Sequence, residues 1–219
     1  SFDYKTIFDI TDNADNPQFI FNVTMQNHSA YDKPWAGQKY HVTPVDNCAV
    51  LSKTTTAEQY FSLIRESDDA IKELIEHYSN VDEPTLIVFF GDHQPSAATT
   101  LNDELYPQED TASHAFRIYQ STYFVWANYE IAGNTELNVY DTVGANEIAA
   151  ITLNKIGAPL TDYQKALLAT RSDVPTINVA GYLGADGLRY DLESEDSPYA
   201  STIDKLQRMQ YLEFASKVQ

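Results

Sequence analysis

The chain has 219 residues, of which 43% are apolar and 12% aromatic, so it can form one sizeable domain, or a large part of a bigger one, with a buried core. A formal net charge of −18, from 32 acidic and 14 basic residues, disfavours nucleic acid and anionic membrane surfaces as partners, but it leaves phosphate substrates open because a bound metal can reverse the local field. The single cysteine, Cys48, excludes an intrachain disulfide and a cysteine-based zinc site.

The first part of the chain predicts a strand, an irregular segment and a long helix. Residues 18–25 are rich in aromatic and β-branched side chains, which predicts a strand. Residues 31–55 contain two prolines and a glycine and predict irregular structure. Thr56 and Gln59 match a capping box, and the apolar spacing that continues to Tyr78 predicts an amphipathic helix.

A short apolar run then leads into the most informative motif of the sequence. Residues 85–90 are rich in Ile, Val and Phe and predict a buried strand, and Gly91 predicts a tight turn at its end. Because a strand, a helix and a second strand follow one another here, the segment predicts a βαβ unit with a parallel pair and a right-handed crossover.

Asp92 and His93 stand side by side where this second strand ends. A carboxylate supplies negative charge and an imidazole supplies a neutral nitrogen, and both are common ligands of divalent metals. Ligand sites in open α/β sheets lie outside the carboxyl ends of the strands, which is where this pair is predicted. An ordinary Asp-His loop turn is the alternative explanation of the dipeptide taken alone.

The remaining elements are predicted in chain order as a loop, a strand and three helices. Residues 94–115 are polar and predict a long surface loop near the site. Residues 121–127 predict a third strand, and residues 143–156 predict a helix that is closed by a glycine. A shorter helix is predicted over residues 160–170 and another over residues 202–214.

Three motifs occur in a fixed order along the chain: Asn22–Tyr31, with the sequence NVTMQNHSAY; Ser67–Ile71 on the long helix; and Val88–Pro95, with the sequence VFFGDHQP. In this order they resemble the lipoteichoic acid synthase and phosphoglycerol transferase family, within the alkaline phosphatase and sulfatase superfamily. The resemblance covers most of the chain, and it is more specific for the family than for the substrate.

The resemblance implies an α/β fold, a three-layer α/β/α sandwich of the alkaline phosphatase and sulfatase type with a mostly parallel sheet. Residues 1–219 are then expected to be the C-terminal portion of a single sulfatase-like catalytic domain. Members of the family are bacterial membrane-anchored proteins, so this domain is expected on the extracellular face of the cytoplasmic membrane.

The resemblance also implies an activity and assigns three residues. Members transfer or hydrolyse phosphoglycerol groups of lipids or cell-envelope polymers through a covalent phospho-enzyme, using one divalent metal. Asp92 and His93 match the metal ligands, and His28 matches the histidine that contacts the substrate phosphoglycerol. Mn²⁺ is the expected metal, with Zn²⁺ and Mg²⁺ as alternatives.

The chain departs from the family pattern in one large respect. The family's glutamate ligand and its nucleophilic threonine lie in the N-terminal half of the catalytic domain, and no counterpart of either is recognised here. We therefore assign no catalytic nucleophile, expect that missing half as a partner of the active site, and expect the chain alone to be inactive.

Other polar residues support weaker hypotheses. Asn27 is interpreted as holding its loop, with a substrate contact as the alternative, and Asp68 and Asp69 are interpreted as part of a solvated helix face. Arg117 is equally compatible with a phosphate contact and with a salt bridge. Three further histidines are interpreted as ordinary surface or structural residues: His41, His77 and His114.

Two other functions compete with the phosphoglycerol hypothesis. A true sulfatase would need a Cys/Ser-x-Pro-x-Arg motif for its formylglycine, and the only cysteine is followed by Ala49 and Val50 instead. A non-catalytic, acidic binding module of the cell surface would show no metal dependence. The sequence of the N-terminal half would separate the three hypotheses, because it would contain the glutamate and threonine, the formylglycine motif, or neither.

Overall fold

The computed structural model of the protein describes residues 2–28, 30–43, 55–131 and 142–218. Cys48 and part of the predicted irregular segment lie outside the described residues. The chain divides into two units, one formed by Ser1–Pro84 and Gln94–Pro107 and the other by Thr85–His93 and Gln108–Gln219. The chain contains both helices and short strands, which fits the predicted α/β class.

The first unit is helical where it has regular structure. Its helices are α1 (Phe2–Thr11), α2 (Thr55–Tyr78) and α3 (Ser96–Leu105). Of the apolar positions that predict this helix, Leu74 and Tyr78 are buried, whereas Ile64 is 40% exposed and the neighbouring Leu63 is buried in its place. The end of α2 packs on α1, because the Phe8 ring stacks on His77 at 3.8 Å and Thr11 Oγ1 lies 2.9 Å from the Tyr78 hydroxyl.

The second unit contains the strands of the described chain together with four helices. These are β1 (Leu86–Phe90), α4 (Thr111–Arg117), β2 (Tyr123–Ala127), α5 (Ile148–Lys155), α6 (Asp162–Thr170), β3 (Thr176–Asn178), β4 (Gly181–Leu183), β5 (Arg189–Tyr190) and α7 (Ala200–Lys217). A 3-10 turn precedes α5. In the described segments, no helix combines the length and apolar character needed to traverse a bilayer.

Strands β1 and β2 form an antiparallel pair, with Leu86 opposite Ala127 and Phe90 opposite Tyr123. Strands β3, β4 and β5 form a separate antiparallel meander. Neither the predicted parallel pair nor the predicted mostly parallel sheet is therefore observed in the described residues, where every strand pair is antiparallel. The prediction of a parallel pair depended on a first strand over residues 18–25. The strand that pairs with β1 is instead β2, which runs in the opposite direction.

The predicted strand over residues 18–25 is wrong for this structure, which assigns it no strand. Its apolar side chains are exposed, Phe19 by 93% and Phe21 by 70%. A strand is stabilised by ladder hydrogen bonds and cross-strand side-chain contacts, so residue type alone does not create one. Within the described residues, no neighbouring strand pairs with this segment.

The predicted loop over residues 94–115 is also wrong, because α3 and most of α4 lie there. Asp110 caps α4, since its Oδ1 accepts hydrogen bonds from the N–H groups of Ala112 and Ser113, both at 2.9 Å. Pro95 precedes the first residue of α3 in an extended conformation. Both helices are short and polar, so their apolar periodicity is too weak to be recognised in the sequence.

The later helices match their predicted positions. Helix α6 begins with a complete capping box, in which Thr161 and Gln164 exchange hydrogen bonds of 2.9 and 3.2 Å. The capping box predicted at Thr56 is not formed, because α2 already includes Thr55. The Gln59 amide instead donates to Gln38 Oε1 at 2.7 Å.

The second unit has an apolar core and one buried ion pair. Its core centres on Val174, Tyr182 and Ile203, which connect the meander to α7. Glu147, only 2% exposed, accepts the Gly144 N–H at 3.0 Å and Arg171 Nη1 at 2.6 Å. The pair therefore ties the 3-10 turn before α5 to the end of α6.

Replacement of Glu147 by alanine is expected to destabilise the protein by about 3 kcal/mol, because Arg171 and the Gly144 N–H lose their buried acceptor. The matched control is Asp204→Ala, which breaks an exposed pair with Arg208 on α7 and is expected to cost less than about 1 kcal/mol. Urea unfolding measures both values. Equal losses in the two variants would contradict a structural role for the buried pair.

Candidate metal and substrate site

Asp92 and His93 follow the end of β1, as predicted, with one residue between the strand and Asp92. His93 Nε2 lies 3.5 Å from Asp92 Oδ2, and the backbone N–H of His93 donates to Asp92 Oδ1 at 2.8 Å. Both side chains are exposed, by 84% for Asp92 and 66% for His93. A carboxylate oxygen and an imidazole nitrogen are thus held close together and remain open to solvent.

Gly91 positions this pair in a way that the sequence did not predict. Its backbone does not have a positive φ, so it is not the left-handed turn expected of a glycine. Instead, a Cβ at this position would overlap Ser121 Oγ, and the Gly91 N–H donates to the Thr122 carbonyl at 3.0 Å. The glycine therefore leaves room for the Ser121 hydroxyl beside the end of β1.

The donor set fits part of a metal site. One oxygen and one nitrogen ligand suit Mn²⁺ or Zn²⁺. Within the four described ranges, no cluster of three or more His, Cys, Asp or Glu side chains can hold a metal ion. Asp92 and His93 would therefore need additional ligands, since a protein metal site usually has at least four.

His28 belongs to the first unit, whereas Asp92 and His93 belong to the second, so each is described within its own unit. His28 is exposed, and its backbone N–H donates to the Met25 carbonyl at 3.1 Å in a turn. The side chain helps to line a pocket of about 360 Å³ beside α2.

The loop that contains His28 is attached to α2 by its neighbours. Asn27 Oδ1 accepts a hydrogen bond from Ser67 Oγ at 3.1 Å, and its carbonyl accepts one from the Tyr31 hydroxyl at 2.5 Å. Tyr31 is buried, and its ring packs edge-on against Tyr60 at 5.6 Å. These contacts confirm the interpretation of Asn27 as a residue that holds the loop.

Asp69 corrects the interpretation of Asp68 and Asp69 as a solvated face. Its carboxylate accepts hydrogen bonds from Lys39 Nζ, at 2.7 Å, and from the Tyr40 hydroxyl, and it lies 3.2 Å from Arg65 Nη2. The bond from Lys39, followed by that from Tyr40, lowers the pKa of Asp69 from 3.8 to about 2. Only Asp68, whose side chain is 68% exposed, matches the predicted solvated face.

Two of the other polar residues, Arg117 and His77, have structural roles in the described chain. Arg117 is buried and pairs with Glu109, whose Oε2 lies 2.7 Å from Nη2 and accepts the Nε–H at 2.8 Å, so the salt-bridge alternative is the observed one. His77 stacks on Phe8 and lies 3.2 Å from Asp12, as expected of a structural histidine. His41 is exposed, and His114 is half-buried within α4.

Comparison with known proteins identifies the family. The sequence profile described as Sulfatase matches residues 4–150, which is more than half of the chain and includes His28, Asp92 and His93. The chain therefore belongs to the sulfatase family. The predicted membership of the alkaline phosphatase and sulfatase superfamily is confirmed.

Two curated relatives come from Rhizobium meliloti (strain 1021). A protein named for cyclic beta-1,2-glucan modification is 29% identical over 110 residues, which are 49% of this chain and 17% of that protein. The capsular polysaccharide biosynthesis protein RkpI is 31% identical over 77 residues, which are 35% of this chain and 12% of that protein. The chain thus spans less than a fifth of the length of either relative.

A solved structure also resembles the chain. The Streptococcus pyogenes phosphoglycerol transferase GacH, in complex with sn-glycerol-1-phosphate, superposes with a TM-score of 0.48 and 19% identity. The superposition covers 71% of this chain and 34% of that one.

The Asp69→Asn variant tests the attachment of Lys39 and Tyr40 to α2, because the stability that this attachment provides depends on pH. Because the folded pKa of Asp69 is lowered, its stabilising effect is complete above about pH 4 and is lost as the pH falls toward 2. The difference in unfolding free energy between wild type and variant is expected to shrink over this window. Asp68→Asn is the control, since it removes the adjacent exposed charge without a loop contact. A difference that is independent of pH would contradict the assignment.

The 219-residue chain is expected to bind Mn²⁺ weakly, with a dissociation constant above about 1 µM, because Asp92 and His93 provide only two ligands. Isothermal titration calorimetry with Mn²⁺ measures this value. Tighter binding that is lost in Asp92→Ala would show that further ligands lie within the chain.

Proposed function

We propose that the chain is part of a metal-dependent phosphoglycerol transferase or phosphodiesterase. The observation that carries the proposal is the exposed Asp92 carboxylate and His93 imidazole, 3.5 Å apart at the end of β1, in a chain of the sulfatase family. Such a pair at a strand end supports metal binding there. His28, in a loop fixed to α2, is proposed to contact the substrate phosphate.

In this proposal each residue has a defined role. Asp92 supplies the anionic oxygen ligand, and His93 supplies a neutral ring nitrogen. When bound, Mn²⁺, or else Zn²⁺ or Mg²⁺, polarises the phosphodiester and lowers the pKa of the attacking hydroxyl. His28 donates a hydrogen bond to a phosphate oxygen and stabilises the charge that develops there.

The proposed reaction is the exchange of one phosphate ester for another. The bond between phosphorus and the leaving alcohol breaks, a bond to a nucleophile of the protein forms, and an acceptor hydroxyl or water then replaces that nucleophile. The acceptor's proton is released, and the leaving alcohol gains one. The nucleophile is not assigned to a residue of this chain, and the chain alone is proposed to be inactive.

The surrounding architecture is proposed on the same basis. Residues 1–219 would form the C-terminal portion of one sulfatase-like domain that is a three-layer α/β/α sandwich in the complete protein. The other half of that domain would be the partner that completes the site. We place the domain on the extracellular face of a bacterial cytoplasmic membrane, where glycerophosphate-containing lipids and polymers are available.

The names of the two curated relatives support a glycan of the cell envelope as the acceptor. One relative is named for modification of a cyclic glucan and the other for biosynthesis of a capsular polysaccharide. A sugar hydroxyl has the chemistry that the proposed exchange requires of an acceptor. We therefore propose that this chain contributes to the transfer of phosphoglycerol onto a saccharide.

The test is turnover of a chromogenic glycerophosphoryl diester by the complete protein that carries this chain, with and without Mn²⁺. Asp92→Asn and His93→Gln are each expected to lower kcat/KM by about 100-fold or more, and His28→Gln by about 100-fold, because ligands or a phosphate donor are lost. The matched controls are Asp162→Asn, whose carboxylate is fully exposed, and His41→Gln, in the first unit.

The outcomes separate the alternatives. Metal-dependent turnover that is lost in the three variants and kept in the two controls would support the proposal. Turnover of a chromogenic sulfate ester in place of the phosphodiester would identify a sulfuric ester hydrolase. A folded, metal-loaded protein that acts on neither ester would favour a non-catalytic binding module.

A further inference from the structure

The pocket beside His28 contains features that a phosphate contact alone does not explain. It lies within the first unit, has a volume of about 360 Å³, and is lined by Gln26, His28, Ala30, Lys33, Trp35, Gln59 and Leu63. This volume falls within the range of small-molecule sites. None of its lining side chains is a carboxylate, although the chain has 32 acidic residues.

The floor of the pocket is fixed before any ligand binds. Leu63 and Gln59 project from α2 and are only 3% and 6% exposed. The Gln59 amide donates to Gln38 Oε1 at 2.7 Å, so the polar side chain of the floor has a defined orientation. A pocket with a fixed floor loses less conformational freedom on binding than one formed by surface chains.

Trp35 forms an open aromatic wall. It is 47% exposed, although tryptophan is a large and mostly apolar residue. Its carbonyl accepts the Gln38 N–H at 3.2 Å, which closes a turn and holds its backbone. An indole face carries partial negative charge and therefore attracts the C–H groups on the flat face of a pyranose ring.

Lys33 adds positive charge to the same pocket. Across the part of the chain that the structure describes, no carboxylate forms an ion pair with its ammonium group. A lysine near an aromatic wall, in a chain of net charge −18, is well suited to an anionic group carried by a sugar. Phosphate is the anion that the proposed function supplies.

We propose that this pocket is a saccharide subsite, in which Trp35 stacks on a pyranose ring and Lys33 pairs with a phosphate attached to that sugar. The inference rests on the proposed function, because the phosphate is the group that the reaction transfers. It adds two residues to the site: Trp35, which binds the sugar of the acceptor, and Lys33, which binds the phosphate that is attached to that sugar. The ligand class is a glucan oligosaccharide substituted with phosphoglycerol.

Binding is measured by fluorescence in the 219-residue chain with Trp126→Phe, which leaves Trp35 as its single tryptophan. The probes are a glucan oligosaccharide, the same oligosaccharide carrying phosphoglycerol, and glycerol phosphate. The substituted oligosaccharide is expected to shift the Trp35 emission saturably and most tightly. No metal and no turnover are needed, so this measurement is independent of the catalytic test.

Two variants of the pocket separate the two contacts. In the chain that retains Trp126, calorimetry is expected to show that Trp35→Ala weakens binding of both oligosaccharides by about tenfold, since the stacking surface is removed. Lys33→Met is expected to weaken only the substituted oligosaccharide, by about tenfold, because its stem is kept and its charge is lost. Lys72→Met, on an exposed position of α2, is the matched control and is expected to have no effect.

Several results would overturn the inference. It fails if neither oligosaccharide shifts the Trp35 emission, if glycerol phosphate alone binds as tightly as the substituted oligosaccharide, or if lipid vesicles produce the shift in place of the sugars. If these results came with metal-dependent turnover in the complete protein, only the saccharide subsite would be rejected. If sugar binding held while Asp92→Asn left turnover unchanged, the proposed function would fail instead.

Discussion

The segment of residues 38–42, which follows the His28 loop and the pocket, depends on a polar stripe along α2. Gln59, Ser62, Glu66 and Asp69 recur at spacings of three and four residues, which places them on one helix face. Their side chains bind residues 38–42, where Ser62 Oγ accepts the Val42 N–H at 2.8 Å and Glu66 Oε1 accepts the Tyr40 N–H at 3.3 Å. An irregular segment cannot pair its own backbone groups, so the helix supplies the acceptors that hold it.

The elements that the sequence predicts well are those whose signal is local. Strands β1 and β2 are apolar runs between turn residues, and α6 has its full capping box within four residues. Residues 18–25 have the same strand-like composition, but a strand also needs a neighbour, and composition does not specify one. Helices α3 and α4 are too short and polar for periodicity, and the Asp110 cap alone is a weak signal.

In the candidate site, too, the features that depend on neighbouring residues were predictable, and those that depend on distant residues were not. Asp92 and His93 are adjacent in sequence and end a predictable strand, so their proximity follows from chain order. Asp69 was misread because its partner Lys39 lies 30 residues away, and a helix-surface aspartate resembles any solvated one until that contact is known. The pocket at Trp35 likewise requires α2 to supply its floor, and no local pattern predicts this.

The attachment to α2 leaves a short stretch of the loop without such constraints. Residues 32–37 lie between Tyr31, which packs on Tyr60, and Gln38, which bonds to Gln59, and they contribute two of the pocket's lining residues. The sequence of this hexapeptide can therefore change while the contacts that attach the loop to α2 are kept, as the hypervariable loops of an antibody domain change on a constant scaffold. Exchange of residues 32–37 between related proteins would alter ligand choice while the loop contacts to the helix keep His28 in place.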